Sequence, residues 1–258
     1  LADGEVTDDT RIRRILPGLE SLRRKGAKII ILTHLGRPKG KVKPEFSVEP
    51  VAACLSRILG CAVPVEPDIL GQGARDAVAG MSDGDVLMFE NLRFHPGEKA
   101  GALDFSAELA RLGKVYVNDA FGTAHRAHSS TAGVANLVED RAAGFCVAKE
   151  VDSLNRILDS RRMGFVAVLG GAKVSDKIGV IESLLSRVER LLIGGAMAYP
   201  FLRAQGVSIG KSKCDDEDVS IARTVLNSTL GKKILLPIDH LCLKNFPEVS
   251  DETPGIQT

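Results

Sequence analysis

Short apolar runs alternate with helical patterns along most of the chain, and this alternation limits the possible folds more than any other feature. Strand-like runs occur at residues 28–34, 85–91, 114–121, 165–171, 190–196 and 232–237, and helical patterns at 47–60, 104–113, 175–188, 197–205 and 216–228. Strands that alternate with helices are typical of parallel sheets covered by helices. We therefore predict an α/β fold with Rossmann-like, doubly wound parallel sheets, which bind ligands at the carboxyl ends of their strands.

A further helical pattern, at residues 145–162, separates the two halves of the chain. Its apolar side chains recur every three to four residues, as in a helix with one buried face. A helix between two α/β units predicts two domains with a cleft between them, residues 1–144 and residues 163–258. One continuous sheet is the alternative.

Composition excludes several classes of protein. With 44% apolar residues the chain can bury large cores, and a formal net charge of +1 gives no overall attraction for nucleic acid or anionic membranes. No apolar run reaches the roughly 18 residues of a membrane span. The five cysteines form no CxxC pair, which favours a reducing, cytoplasmic location. We expect no nucleic-acid or membrane partner.

Three strands of the first half each lead to a basic stretch, and we expect the three stretches to leave the same edge of one sheet. THLGRPKGK contains Arg37, ENLRFHPGEK contains Arg93, and NDAFGTAHRAHSST contains Arg126. Arginine binds phosphate and carboxylate groups with a planar, bidentate fork. The pattern predicts a site for an anionic small molecule, and solvated turns are the alternative.

The third of these stretches, residues 118–131, also suggests other chemistry. A Ser-His-Asp triad would activate Ser129 or Ser130, and a metal site would use His125 and His128. Adjacency in sequence is no evidence for triad geometry, and the two histidines have no Cys or third His close in sequence. At this point all three interpretations remain open.

The second half contains two glycine pairs at strand ends. LGGAKVSDK, residues 169–177, places glycines and lysines between a strand and a helix, and LIGGA, residues 192–196, follows the next strand. Backbone N–H groups at such a turn bind anions, which favours nucleotide binding over simple tight turns. GVSIGKS at 206–212 and GQGARD at 71–76 depart from phosphate-loop and dinucleotide motifs, so we predict connections there.

The chain resembles the phosphoglycerate kinase family. The resemblance lies in VTDDTRIRRILPGL, LTHLGRPKG, LMFENLRFHPGE, VNDAFGTAHRAHSST, AVLGGAKVSDKI, LLIGGAMAYPFL and ILLPID, in the family's order. It implies reversible phosphoryl transfer between 1,3-bisphosphoglycerate and ADP, giving 3-phosphoglycerate and ATP with Mg²⁺, by a cytoplasmic monomer. It also implies that the first domain binds the glycerate and the second the nucleotide.

The same resemblance implies roles for individual residues. The positions that match the glycerate site are Arg11, His34, Leu35, Gly36, Arg37, Arg93 and Arg126. Those that match the nucleotide site are Gly171, Ala172, Lys173, Lys177, Gly194 and Gly195. Arg11 and Lys173 are the expected catalytic residues, since phosphoryl transfer needs charge stabilisation. His125 and His128 then shape the loop or line the site.

Two family motifs are missing from the sequence. The opening strand with DFN would precede Leu1, and the GGDT loop with its magnesium-linked Asp would follow Thr258. We therefore expect an internal stretch of a longer enzyme, with an incomplete second domain, a magnesium ligand outside the chain and little turnover by this stretch alone. An inactive relative that binds phosphorylated metabolites and a Rossmann-type oxidoreductase remain alternatives.

Overall fold

The computed structural model describes residues 4–159 and 164–240. The chain divides into two compact units, Leu1–Asn155 and Arg156–Thr258. This division falls inside the helix Phe145–Asp159, which occupies most of the predicted 145–162 segment; residues 160–162 lie outside the described residues. The domain boundaries at 144 and 163 stay predictions.

The first unit alternates helices with short strands. Its elements are α1 (Thr10–Arg24), β1 (Ile29–Ile31), α2 (Glu49–Leu59), β2 (Val65–Glu66), α3 (Gln72–Ala79), β3 (Val86–Phe89), α4 (Pro96–Ala100), α5 (Leu103–Arg111), β4 (Val115–Asn118), α6 (Phe121–Ala124), α7 (Val134–Leu137), β5 (Asp140–Ala143) and α8 (Phe145–Asp159). Single 3₁₀ turns span Pro44–Phe46 and Leu92–Phe94, and a π-helical turn spans Ser129–Gly133.

The central sheet of this unit is parallel, with strand order β1-β3-β2. Every residue of β3 is buried, as expected for a strand with both faces covered. Val86 and Met88 pack in a core with residues of α1 and α2, whereas Leu87 and Phe89 pack in a core with residues of α3. Because a strand's successive side chains point to opposite faces, helices cover both sides of this sheet, as predicted for a doubly wound fold.

The third predicted strand of the first half belongs to a different sheet. β4 pairs in parallel with β5, Val115 opposite Asp140, and these two strands form a separate sheet. The expectation that all three basic stretches leave one sheet edge is therefore wrong for β4. Among the described residues, neither β4 nor β5 is paired with a strand of the central sheet. Strand order alone therefore does not place Arg126 next to Arg93.

The second unit contains β6 (Val166–Gly170), α9 (Ile178–Leu185), β7 (Arg190–Gly194), α10 (Ala198–Ala204), α11 (Asp216–Asn227) and β8 (Ile234–Leu235). Its parallel sheet has the order β6-β7-β8. Leu191, Ile193 and Phe201 lie in a core that also takes side chains from α9 and α11. Val168 of β6 is 77% exposed, so the described residues cover mainly one face of this sheet.

Two predicted connections have different outcomes. Residues 206–212 connect α10 to α11, as predicted. The prediction for GQGARD is wrong, because Gly71 precedes α3 with a φ of 91° and the following residues begin that helix. Ala74 of this helix is fully buried, so packing stabilises a helix that the glycine-containing sequence does not predict. In the described part of the chain, no helix is long and apolar enough to cross a membrane.

Candidate functional site

The loop after β1 is held in place by Asn91. This fully buried side chain donates from Nδ2 to the carbonyl oxygens of Leu35 (2.7 Å) and Phe46 (2.8 Å), and its Oδ1 accepts from the N–H of Arg93 (3.0 Å). Gly36 has a φ of 62°, and a Cβ there would lie 2.5 Å from the ring of Phe46. The loop therefore requires glycine at this position and a carboxamide at position 91.

Arg93 is the most deeply buried of the predicted basic groups. Its guanidinium donates from Nη1 to the carbonyl oxygen of Gly36 (2.9 Å), whereas its Nε has no hydrogen-bond partner among the described residues. Burial lowers the pKa of Arg93, and the positive charges of Arg126 and Arg37 lower it further, against the opposing effect of Glu98. The charges of Arg37 and Arg126 therefore act on Arg93, and we call these three residues the basic cluster.

His34 belongs to the same basic cluster. Burial lowers its pKa to about 4, and the charges of Arg93 and Arg126 and the neighbouring His128 contribute in the same direction. Its imidazole is consequently neutral near pH 7 and can serve as a neutral hydrogen-bonding group. Burial also lowers the pKa of His128, although Glu98 opposes the shift.

The loop that carries Arg126 is tied to α4. Glu98, only 2% exposed, accepts the backbone N–H of Ser130 at Oε2 (3.0 Å) and its hydroxyl at Oε1 (2.6 Å). Thr131 donates its hydroxyl to the carbonyl oxygen of Arg126 (2.6 Å), and Tyr116 donates to that of Ser130 (2.9 Å). These contacts, and not strand order, bring Arg126 to the cluster.

The hydrogen bonds of Ser129 and Ser130 are not those of a Ser-His-Asp triad. The hydroxyl of Ser129 donates to the carbonyl oxygen of Gly97 (3.0 Å), and that of Ser130 donates to Glu98, so neither is hydrogen-bonded to a histidine. His125 is exposed. Within residues 4–159 and 164–240, no group of three or more His, Cys, Asp and Glu side chains is placed to hold a metal ion.

Arg11 lies apart from these interactions. It is exposed in the first turn of α1. The pKa of Asp8 is lowered mainly by the hydrogen bond with Thr10, and the positive charge of Arg11 lowers it further. The shifts of Arg93 and His34 have no contribution from Arg11. Its catalytic role stays a prediction.

In the second unit, the predicted glycines lie side by side. Gly170 pairs with Gly194 at the carboxyl ends of β6 and β7, and the N–H of Met197 donates to the carbonyl oxygen of Gly171 (2.9 Å). Gly195 has a φ of 65°. Nothing lies within 4 Å of the position that a Cβ of Gly194 would take, so a flat ring can approach the backbone closely there.

Two lysines border this surface. The side chain of Lys177 passes over Gly171, whose added Cβ would lie 3.0 Å from Lys177 Cε. Lys173 is exposed and pairs with Asp215, with 3.4 Å between Nζ and Oδ2. Asp218, 3% exposed, accepts the N–H of Ser175 (2.8 Å) and so ties the lysine loop to α11. Ala172 is exposed between the glycines and Lys173.

A cleft of about 560 Å³ lies elsewhere in this unit, at the carboxyl ends of α10 and α11. Its lining includes Gln205, Arg223 and Lys232 but none of the predicted nucleotide residues. This cleft is therefore separate from the predicted nucleotide site.

Three buried residues that organise these loops were not singled out in the sequence: Asn91, Glu98 and Asp218. Each is a polar residue close to a predicted ligand residue. Sequence gives only a weak signal for them, because their partners lie 32 to 56 residues away along the chain.

The fold and the site define an α/β protein with parallel sheets that presents a basic cluster in one unit and a glycine-lined, lysine-bordered surface in the other. Residues 1–257 match the family model described as phosphoglycerate kinase. The chain belongs to the phosphoglycerate kinase family.

Relatives and solved structures agree with this assignment. The phosphoglycerate kinase of Anaeromyxobacter sp. (strain K) is 49% identical over 243 residues, which cover 93% of this chain and 61% of the relative. That of Chloroherpeton thalassium is 47% identical, covering 96% and 63%. The solved phosphoglycerate kinase of Coxiella burnetii has a TM-score of 0.80 at 40% identity, covering 92% of this chain and 59% of that one. The chain thus spans about three fifths of the length of these relatives.

Proposed function

We propose that the protein containing this chain is a phosphoglycerate kinase, which transfers a phosphoryl group reversibly between 1,3-bisphosphoglycerate and ADP to give 3-phosphoglycerate and ATP. The observation that carries the proposal is the buried Arg93, whose Nε lacks a partner among the described residues beside the charges of Arg37 and Arg126. A buried donor without a partner costs about 1–3 kcal/mol, which an anionic ligand would recover.

In this proposal the basic cluster binds the glycerate. Arg37 and Arg126 are exposed and would bind the phosphate and carboxylate groups, together with the buried Arg93. Neutral His34 contributes a hydrogen bond, and Leu35 and Gly36 contribute the backbone of the loop. Fixed arginine forks orient a small, doubly charged ligand because each guanidinium can bind two oxygens.

The glycine surface of the second unit binds the nucleotide in the same proposal. Gly194 and Gly195 would face the adenine ring, and Gly171, Ala172 and Lys177 would face the phosphates. The amino end of α9, which directly follows the turn Ser175–Lys177, carries partial positive charge that favours an anion.

Magnesium would accompany the nucleotide and neutralise charge on its phosphates. The described residues offer no group of three or more candidate metal ligands, so we assign no magnesium ligand among them.

The chemistry requires no side-chain nucleophile. A carboxylate oxygen of 3-phosphoglycerate attacks the γ-phosphorus of ATP, and the bond from that phosphorus to the bridging oxygen breaks as ADP leaves. Lys173 and Arg11 are the proposed groups that offset charge on the equatorial oxygens of the transferring group. Alignment and charge stabilisation supply the catalysis.

We further infer a monomeric, cytoplasmic enzyme whose partners are small molecules. The family assignment and the free thiols of Cys54, Cys61, Cys146 and Cys214 support this inference. Sedimentation of the full-length protein tests the monomer.

The direct test uses the full-length protein that contains this chain. With ATP, Mg²⁺ and 3-phosphoglycerate, we expect ADP formation that depends on the glycerate and is reduced at least ten-fold in kcat/KM by Arg93→Ala. Binding of 3-phosphoglycerate without ADP formation would instead indicate an inactive relative. Control reactions without glycerate measure background ATP hydrolysis.

A further inference from the structure

We propose that Glu98 is a positioning residue of the glycerate site, whose buried carboxylate clamps Ser130 and thereby holds Arg126 beside Arg93. This inference rests on the proposed function, because it assigns Glu98 to the site that binds 3-phosphoglycerate. Glu98 does not contact the substrate in this proposal; it acts through the loop.

The clamp uses both carboxylate oxygens on one residue. Oε2 accepts the N–H of Ser130 at 3.0 Å, and Oε1 accepts its hydroxyl at 2.6 Å. Two hydrogen bonds to one residue fix its orientation as well as its position, and hydrogen bonds to a charged group are stronger than neutral ones. Since Glu98 is 2% exposed, water does not compete for these contacts.

Thr131 links the backbone next to Ser130 with the backbone of Arg126. The hydroxyl of Thr131 donates to the carbonyl oxygen of Arg126 (2.6 Å) and accepts the N–H of His128 (3.1 Å). The loop from Arg126 to Thr131 is therefore braced internally, and Glu98, together with the hydrogen bond from Ser129 to Gly97, connects this loop to α4. A shift of Ser130 displaces the whole loop and with it the arginine.

The charge of Glu98 has a second effect on the cluster. Its negative charge raises the pKa of Arg93, opposing the effects of burial, Arg126 and Arg37, and it lies 3.7 Å from His128 Nδ1. A buried guanidinium is stable only with a compensating partner. Glu98 thus offsets part of the positive charge around Arg93.

Two substitutions in the full-length protein separate position from charge. Glu98→Ala removes both hydrogen bonds. Glu98→Gln removes the charge, but its amide oxygen can accept the Ser130 N–H and its NH₂ can donate to the Ser130 hydroxyl. We expect Glu98→Ala to raise the KM for 3-phosphoglycerate about ten-fold or more while the KM for ATP stays within about two-fold, and Glu98→Gln to restore most of the loss.

Asp218 provides the matched control. It is also a buried carboxylate that accepts a loop N–H, but it serves the lysine loop of the second unit. Asp218→Ala should therefore raise the KM for ATP more than that for 3-phosphoglycerate. General destabilisation would raise both constants in both variants, so this crossed pattern identifies positioning.

Several outcomes would overturn the proposal. Equal changes in both KM values for Glu98→Ala, or a Gln variant no better than the Ala variant, would reduce Glu98 to a structural residue. If Glu98→Ala does not fold, Ser130→Ala tests the hydroxyl half of the clamp, because the backbone N–H still donates to Glu98. We expect a smaller rise in the KM for 3-phosphoglycerate, and an unchanged KM would contradict a clamp that uses both carboxylate oxygens.

Calorimetric titration with 3-phosphoglycerate separates this proposal from the proposed function. A wild-type protein that binds the glycerate without turnover refutes the kinase activity, and the affinity ratio between wild type and Glu98→Ala still decides the role of Glu98. A wild-type protein that does not bind 3-phosphoglycerate overturns both.

Discussion

The ammonium of Lys173 lies 3.4 Å from Oδ2 of Asp215, so the lysine proposed to stabilise the transferring phosphoryl group is paired with a carboxylate in the structure. Both side chains are about half exposed, and such pairs contribute about 0–1 kcal/mol. Lys173 can therefore leave Asp215 for a phosphate at little cost.

We expect Asp215→Asn to lower the KM for ATP about two-fold at low salt, because the carboxylate no longer competes with phosphate for Lys173. Steady-state kinetics at low and high salt check this, and the difference should vanish as salt screens the pair. Asp216→Asn is the control, since Asp216 pairs with Arg203 instead (2.9 Å). An equal effect in that variant would mean that only net charge matters.

Arg93→Lys should raise the KM for 3-phosphoglycerate about ten-fold, although it preserves the charge. Lysine lacks the planar fork that donates to Gly36 and leaves a second edge for the ligand. Kinetics with the glycerate as varied substrate measure the effect. Arg75→Lys, at a surface pair with Glu108, should change neither KM. Full activity of Arg93→Lys would show that charge alone suffices.

Gly36→Ala should destabilise the protein by more than about 2 kcal/mol. Its φ of 62° costs an L-residue about 1–2 kcal/mol, and the new methyl would lie 2.5 Å from the Phe46 ring. Gly60→Ala is the matched control, because its φ is 65° but nothing lies within 4 Å. Urea denaturation of both variants isolates the packing contribution; equal losses would contradict the close contact with Phe46.

The lowered pKa of His34 predicts a pH dependence of stability. The folded state holds this imidazole with a pKa of about 4, mainly through burial, whereas the unfolded chain protonates near 6.5. The unfolded state therefore binds more protons between these two pH values. The free energy of unfolding consequently decreases as the pH falls from about 6.5 to about 4.

An NMR titration of the imidazole protons checks this directly, and a midpoint near 6.5 would contradict it. In denaturation experiments across this range, His34→Gln should flatten the decline in the free energy of unfolding. His125→Gln, at an exposed position, should leave the decline as it is.

Sequence patterns predict the helices and strands whose apolar residues form a continuous run or recur at regular spacing. β3, β6 and β7 are found where apolar runs predict them, and α2 and α11 where helical periodicity does. α1 was not predicted, since Pro17 and Gly18 interrupt its pattern, although Ile12 and Leu19 are buried. β5 was not predicted because all of its residues, DRAA, are exposed.

The candidate site divides in the same way. Arginine at three loop positions is visible in the sequence, and the charges of Arg37 and Arg126 act on Arg93 in the structure. The contacts that assemble them are not visible, because Asn91 and Glu98 bind partners far away along the chain. A buried polar residue has no period, and its role depends on which backbone groups folding leaves unpaired.

The carboxamide of Asn91 joins two carbonyl groups of the loop after β1 to the turn that carries Arg93. The loop and Asn91 consequently form one structural unit. A chimera could receive residues 33–46 from a distant relative without also receiving that relative's residue at position 91. It would contain an arginine in the loop but would lack the hydrogen bonds that hold the loop in place.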